Sequence, residues 1–383
     1  MRFIERFDKL KSLFTYELKV ELDDMSLEMR PFFFNQRMGD KEIKQIQQFI
    51  PPARFCSVPD DQVEENKRFA YQVFVPKGAE RVDKAILLLH GLNERKWEKY
   101  LPWAEHLALS TNRAVILFPI AFHMNRTPAS WYNPRILLPY VDSRKEKFAH
   151  NSTFANLALS SRLSENPIRF YVSGRESLFN LWQLIKEIKN GSHPLFMENT
   201  SVNIFAYSIG AFLSQVLLLA DPERLTSDCR LFMFCGGSLF DRMNGNSRDI
   251  MDQESFHRLH NYFLNDFVDN KKIFPDEGED FMTRSFKSML SFSIYREHRE
   301  AFFSEARNRN RIRAITLKKD TVIPTIGVEE AFGKVYAPDM LEEWDFPYEY
   351  SHQTPFPLHN RVSPEIVQQC FYNLFNKAAA FLR

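Results

Sequence analysis

Glycine is scarce: the 383 residues include 12 of them, against an average usage of about 7%. The chain has no G-x-G-x-x-G after a strand and no P-loop, so the glycine-rich cradles that hold nucleotide phosphates are excluded and no cofactor is expected. Cysteine is sparse too. Its four residues, Cys56, Cys229, Cys235 and Cys370, form no C-x-x-C pair, which excludes a disulfide framework and fits a reducing, cytoplasmic setting. There is no HExxH, and His257 and His260 lack further ligands at metal-site spacing, so no metal is expected and the pair reads as polar surface of a helix. Neither charge dominates (50 basic, 49 acidic), which excludes the broad positive field of nonspecific nucleic-acid binding. Long apolar runs are missing. "AILLLHGL" and "FLSQVLLLA" are too short to span a bilayer, and charges interrupt the N-terminus "MRFIERFDKLKSLF" where a secretory signal would need an apolar stretch.

What the chain does have is apolar side chains, 44% of the total and 37 of them phenylalanine, enough for a large core. Residues 1–66 mix short helical patterns with a Pro51-Pro52 break and read as an N-terminal helical extension. From residue 67 strand-like segments alternate with amphipathic helices, the texture of an α/β domain with a mostly parallel sheet covered on both faces. "FAYQVFVP", "KAILLLHG", "AVILFPIAF", "NIFAY", "RLFMFCGG", "RIRAITLKKD" and "EEWDFPYEYSH" read as strands. "SGRESLFNLWQLIKEIKNG" puts Leu178, Leu181, Trp182, Ile185 and Ile188 on one helical face, and Ser363-Pro364 opens a closing helix. Two stretches break the alternation, 121–170 and 239–309. Both are too long for ordinary connections, and the second reads as a helical cap.

The stretch "AYSIG" ends a strand at Tyr207, places Ser208 on the turn and opens a helix at Gly210. It resembles the nucleophile elbow of the α/β-hydrolases, G-x-S-x-G, with Ala206 in place of the first glycine. "LLLHGLNER" resembles the oxyanion turn of the same superfamily. The resemblance implies an α/β-hydrolase fold over about residues 68–383 outside the insertions, with Leu92 and Ile209 as the backbone donors of an oxyanion hole and His90 tying the turn. The superfamily order along the chain is Ser, acid, His. Asp320 follows the strand "ITL" and His352 follows "WDFPYEY", so these are the expected acid and base; Asp241 and His359 are their rivals.

The resemblance therefore implies a serine hydrolase acting on a small acyl substrate, a carboxylic ester first, with amidase or acyltransferase chemistry open. The alternative is a non-catalytic binding protein on the same scaffold, with Ser208 as a remnant. His123, Arg126, Trp131 and Tyr132 begin right after a strand and are the candidate substrate contacts, the arginine suggesting a polar or anionic part. Oligomeric state is not legible.

Overall fold

Along Ala85–Leu89 every side chain is buried, with Ala85, Leu87 and Leu89 facing one hydrophobic cluster and Ile86 and Leu88 facing another. A strand with two dry faces needs helices on both sides of its sheet. The computed structural model, which describes residues 3–383 apart from 23, 57, 148, 222, 270–278 and 360, has that form. Its strands are β1 (Val20–Leu22), β2 (Leu27–Asn35), β3 (Arg68–Pro76), β4 (Val82–Leu89), β5 (Ala114–Leu117), β6 (Phe196–Tyr207), β7 (Leu231–Phe234), β8 (Ile312–Leu317) and β9 (Leu341–Trp344). They form one sheet in the order β1-β2-β3-β5-β4-β6-β7-β8-β9. The β1–β2, β2–β3 and β3–β5 pairings are antiparallel and all the others parallel. Helices Phe3–Leu13, Leu101–Thr111 and Pro364–Leu382 cover one face; Ile168–Lys189 and Ile209–Ala220 cover the other. This is an α/β-hydrolase fold.

Three boundaries differ from the sequence reading. The first 66 residues are not simply a helical extension, because β1 and β2 within them extend the main sheet. Pro31 sits in β2 where it is tolerated: β1 pairs only with Leu27–Met29, so no neighbour on that side asks Pro31 for an N–H. The strand expected through "AVILFPIAF" stops at Leu117, two residues before Pro119. The strand expected through "EEWDFPYEYSH" stops at Trp344. Beyond it, Phe346, Tyr348 and Tyr350 are buried together against Phe356, so their alternation comes from aromatic packing, and Pro347 has no N–H for a ladder.

Both insertions fold as helices on the same end of the sheet. Segment 121–170 contains helices Pro134–Lys147 and Leu157–Glu165, and segment 239–309 contains Gln253–Asn261, Phe281–Ser288 and Arg296–Ser304; its residues 270–278 lie outside the described ones. Arg144 joins the two insertions through a bidentate pair with Asp252 at 2.7 and 2.8 Å, which also accepts from Ser152 Oγ at 2.7 Å. Arg175, on the long helix Ile168–Lys189, grips Asp40 of the N-terminal segment and Asp280 at the start of helix Phe281–Ser288 at once.

Candidate active site

Strand β6 ends at Tyr207 and the next helix begins at Ile209, which leaves Ser208 alone to turn the chain, at φ 55° and ψ −121°. A non-glycine residue held there stores about 1–3 kcal/mol of strain, which the surrounding packing must enforce. Two glycines make room for the turn. A Cβ on Gly210 would sit 2.9 Å from the His90 carbonyl oxygen, and one on Gly236 would sit 2.8 Å from Ser208 N and 2.5 Å from the Ala211 methyl. Ala206 meets no such constraint: it is an ordinary β6 residue in register with Leu89 and Met233, and it packs in the apolar cluster.

The turn aims Ser208 Oγ at His352 Nε2, 2.8 Å away, and His352 Nδ1 lies 2.7 Å from Asp320 Oδ2. A carboxylate can only accept, so Nδ1 carries the hydrogen and Nε2 is left to receive the Ser208 hydroxyl proton. Asp320 is fixed by its other oxygen, which accepts the Val322 and Ile323 N–H groups at 2.9 and 3.0 Å. The buried Cys235 thiol also faces Asp320; burial first, and then this carboxylate, push the thiol up. His352 is held from behind. Tyr207 donates its hydroxyl to the His352 carbonyl and stacks its ring beneath the imidazole, centroids 5.3 Å apart and planes 19° from parallel. The rivals stand apart: Asp241 has one buried carboxylate oxygen without a partner, and neither it nor His359 hydrogen-bonds to Ser208, Asp320 or His352.

Next to Ser208 the β4 strand runs into His90-Gly91-Leu92-Asn93. His90 Nδ1–H donates to the Gly91 carbonyl at 2.8 Å while its Nε2 accepts from Ile120 N–H at 3.1 Å. His123 works the same way one loop over, donating to the Ala121 carbonyl at 2.8 Å and accepting the Asn93 N–H at 2.9 Å, with Asn93 at φ 62°. The Gly91 N–H is taken by Tyr100 Oη at 2.9 Å. Among the described residues the N–H groups of Leu92 and Ile209 have no protein acceptor, and both residues line the same cavity as Ser208.

Each of these histidines must stay neutral to accept a backbone N–H. Burial holds His90 well below its ordinary value and His123 down to about 4, and His193, which accepts from Leu195 N–H, is likewise lowered to about 4 by burial. A histidine lowered from 6.5 stabilises the fold fully above pH 6.5, and that stabilisation is lost as pH falls towards 4, with a slope of up to about 1.4 kcal/mol per pH unit for each. Glu176, pushed up to about 7 by burial, opposes them between pH 4.5 and 7, and Glu42, Glu105, Asp221 and Asp241, also raised by burial, act in the same sense, while His106 and His298, lowered by burial, act with the three. In urea unfolding between pH 6.5 and 4.5, His193→Gln is expected to lose less stability on acidification than the wild type.

Two small, apolar cavities of about 50 and 60 Å³ meet beside the serine and share Leu92, Phe170 and Ile209 as walls. The first contains Ser208 and is roofed by Phe240, Met243, Ile250 and Met251 of the second insertion. The second runs between helices Ile168–Lys189 and Ile209–Ala220, past His123 and Gly174. These residues of the second insertion and the two helices carry no motif that the sequence alone would reveal, and neither does Tyr207 as a support for His352.

Of the four candidate substrate contacts, the structure puts His123 on a cavity wall and the other three elsewhere. Arg126 is fully buried, with its guanidinium taken by the Pro119 and Asn66 carbonyls, Asn180 Oδ1 and Glu176, and stacked over Phe69. Trp131 packs in a separate apolar cluster against Phe55 and Phe122. Tyr132 receives the Thr127 hydroxyl and stacks under Arg95. The loop turns inward because these residues secure it to the body. Arg126→Ala is expected to cost about 3–5 kcal/mol of stability, the scale for orphaning one member of a buried pair. It should leave the ratio of kcat/KM for anionic and neutral esters unchanged.

No helix among the described residues is long and apolar enough to cross a membrane. No curated protein matches the chain. Solved structures similar to it include carboxyl esterase 2 of the mycorrhizal fungus Tuber melanosporum, with 11% identity over 90% of this chain and 99% of that one and a TM-score of 0.45. Another is an esterase of Pyrobaculum calidifontis, with 10% identity over 98% and 90% and a TM-score of 0.46. A third is the acylaminoacyl peptidase of Pyrococcus horikoshii, with 11% identity over 93% of this chain but 42% of that one and a TM-score of 0.42. Residues 1–383 match the model of the family described as "Family of unknown function (DUF6051)", and the chain belongs to that family.

Proposed function

We propose that the protein is a serine hydrolase that cleaves carboxylic esters through an acyl-enzyme. Ser208 Oγ attacks the carbonyl carbon and passes its proton to His352 Nε2. Asp320 holds the imidazole in the required tautomer and stabilises the imidazolium, and the Leu92 and Ile209 N–H groups receive the developing oxyanion. His352 then gives the proton to the departing alkoxide, and a water activated by the same histidine releases the acid. The observation that carries this reading is the continuous relay from Ser208 to His352 to Asp320, at 2.8 and 2.7 Å, behind a serine held at a strained backbone angle. The cavity walls favour an ester over a peptide: a peptide would bring N–H and C=O groups that side chains such as Phe170, Ile209 and Phe240 cannot partner.

A fluorophosphonate probe tests the reading directly. The wild-type protein is expected to take one label, on a peptide containing Ser208; a well-folded protein that takes none at this residue would overturn it.

A further inference from the structure

Gly174 lies inside the helix Ile168–Lys189, in its second turn, with no positive φ to require it, and a Cβ added there would meet nothing within 4 Å. Glycine is the poorest helix former after proline, so in a chain this poor in glycine an interior helical one calls for a local reason. The space it leaves open belongs to the second cavity. The walls there are hydrocarbon, from Phe212, Leu213, Val216 and Phe286 among others. Two of the polar groups at its edge are occupied: Ser177 Oγ donates to the Ser173 carbonyl and accepts from Ala121 N–H, and both His123 nitrogens are bonded to backbone. No charged side chain lines it.

The leaving alcohol must take its proton from His352, so it belongs on the side of the acid loop, where Val322 and Ile323 line the cavity that contains Ser208. The acyl group then points the other way, past Phe170 and the two oxyanion donors. Resting on the ester-hydrolase reading, we infer that the cavity beside Gly174 is the acyl pocket, that it takes an unbranched, uncharged hydrocarbon chain, and that Gly174 sets how long that chain can be.

The test is a series of p-nitrophenyl esters from acetate to octanoate, assayed with the wild-type protein, Gly174→Ala and Gly174→Phe. In the wild type kcat/KM should rise by up to about fourfold per methylene until the pocket is full. Gly174→Phe should lower the hexanoate-to-acetate ratio by at least about tenfold, the worth of two methylenes or so. Melting temperature should be retained, and Gly174→Ala should give an intermediate ratio. A parallel series of alkyl acetates should not respond to position 174. An unchanged hexanoate-to-acetate ratio in folded Gly174→Phe, or an effect confined to the alkyl acetates, overturns the assignment while leaving the hydrolase reading intact. Binding separates the two ideas further. In a Ser208→Ala background, methyl hexanoate should bind measurably by calorimetry and Gly174→Phe should weaken it. Such binding by a protein that turns over no ester would sink the enzyme and keep the pocket, and its absence in the Gly174 protein counts against the pocket.

Discussion

Ser208→Ala is expected to lower kcat for a p-nitrophenyl ester by about 10⁶-fold, the scale seen when a serine nucleophile is removed from an intact triad. The oxygen that goes makes one side-chain hydrogen bond, to His352, and the backbone at position 208 stays in the same strained well with alanine as with serine. Folding should therefore be unchanged in a thermal melt, and the loss will read as chemistry alone. What rate remains should come from the Leu92 and Ile209 donors and from binding, which do not need the hydroxyl. Turnover within tenfold of wild type would mean that hydrolysis in this protein proceeds elsewhere.

Asp320→Asn is the second large effect, about 10⁴-fold in kcat. Asparagine keeps the volume but has one oxygen instead of two. Asp320 spends one oxygen on His352 Nδ1–H and the other on the N–H groups of Val322 and Ile323. If the amide oxygen stays on the backbone pair, the amide N–H₂ faces Nδ1, forces the hydrogen onto Nε2, and leaves no base for Ser208. If the amide turns over, its N–H₂ confronts two backbone donors instead. Either arrangement fails. Asp241→Asn should leave kcat unchanged, because that carboxylate lies outside the relay, and a reversal of the two results would reassign the acid.

Much of this was written in the chain because the parts are local. A strand running into a serine and a small-residue helix start, or into His-Gly, needs no distant partner to be legible, and the chain order of Ser208, Asp320 and His352 follows from their places after β6, β8 and β9. The misreadings involve side chains whose packing partners the pattern does not reveal. "WDFPYEY" alternates like a strand because three aromatic side chains bury together, and periodicity alone cannot distinguish that from a ladder. Arg126 reads as a substrate contact until Asn66, Asn180 and Glu176, all distant in sequence, close around it. The glycines carried more signal than was taken from them: Gly236 clears the space for Ser208, and Gly174 opens the second cavity.

The grip of Arg175 on Asp40 and Asp280 ties the earliest part of the polypeptide to a late one. During synthesis β2 can find β3 soon after both emerge, yet this guanidinium cannot close its ring of carboxylates until residue 280 has left the ribosome. Until then the segment around Asp40 is held by Arg175 Nε–H and by the Arg37 and Met38 N–H groups, which donate to Gln183 Oε1. A gene truncated to begin at residue 67 would be born without that anchor, and with β3 exposed as a sticky edge.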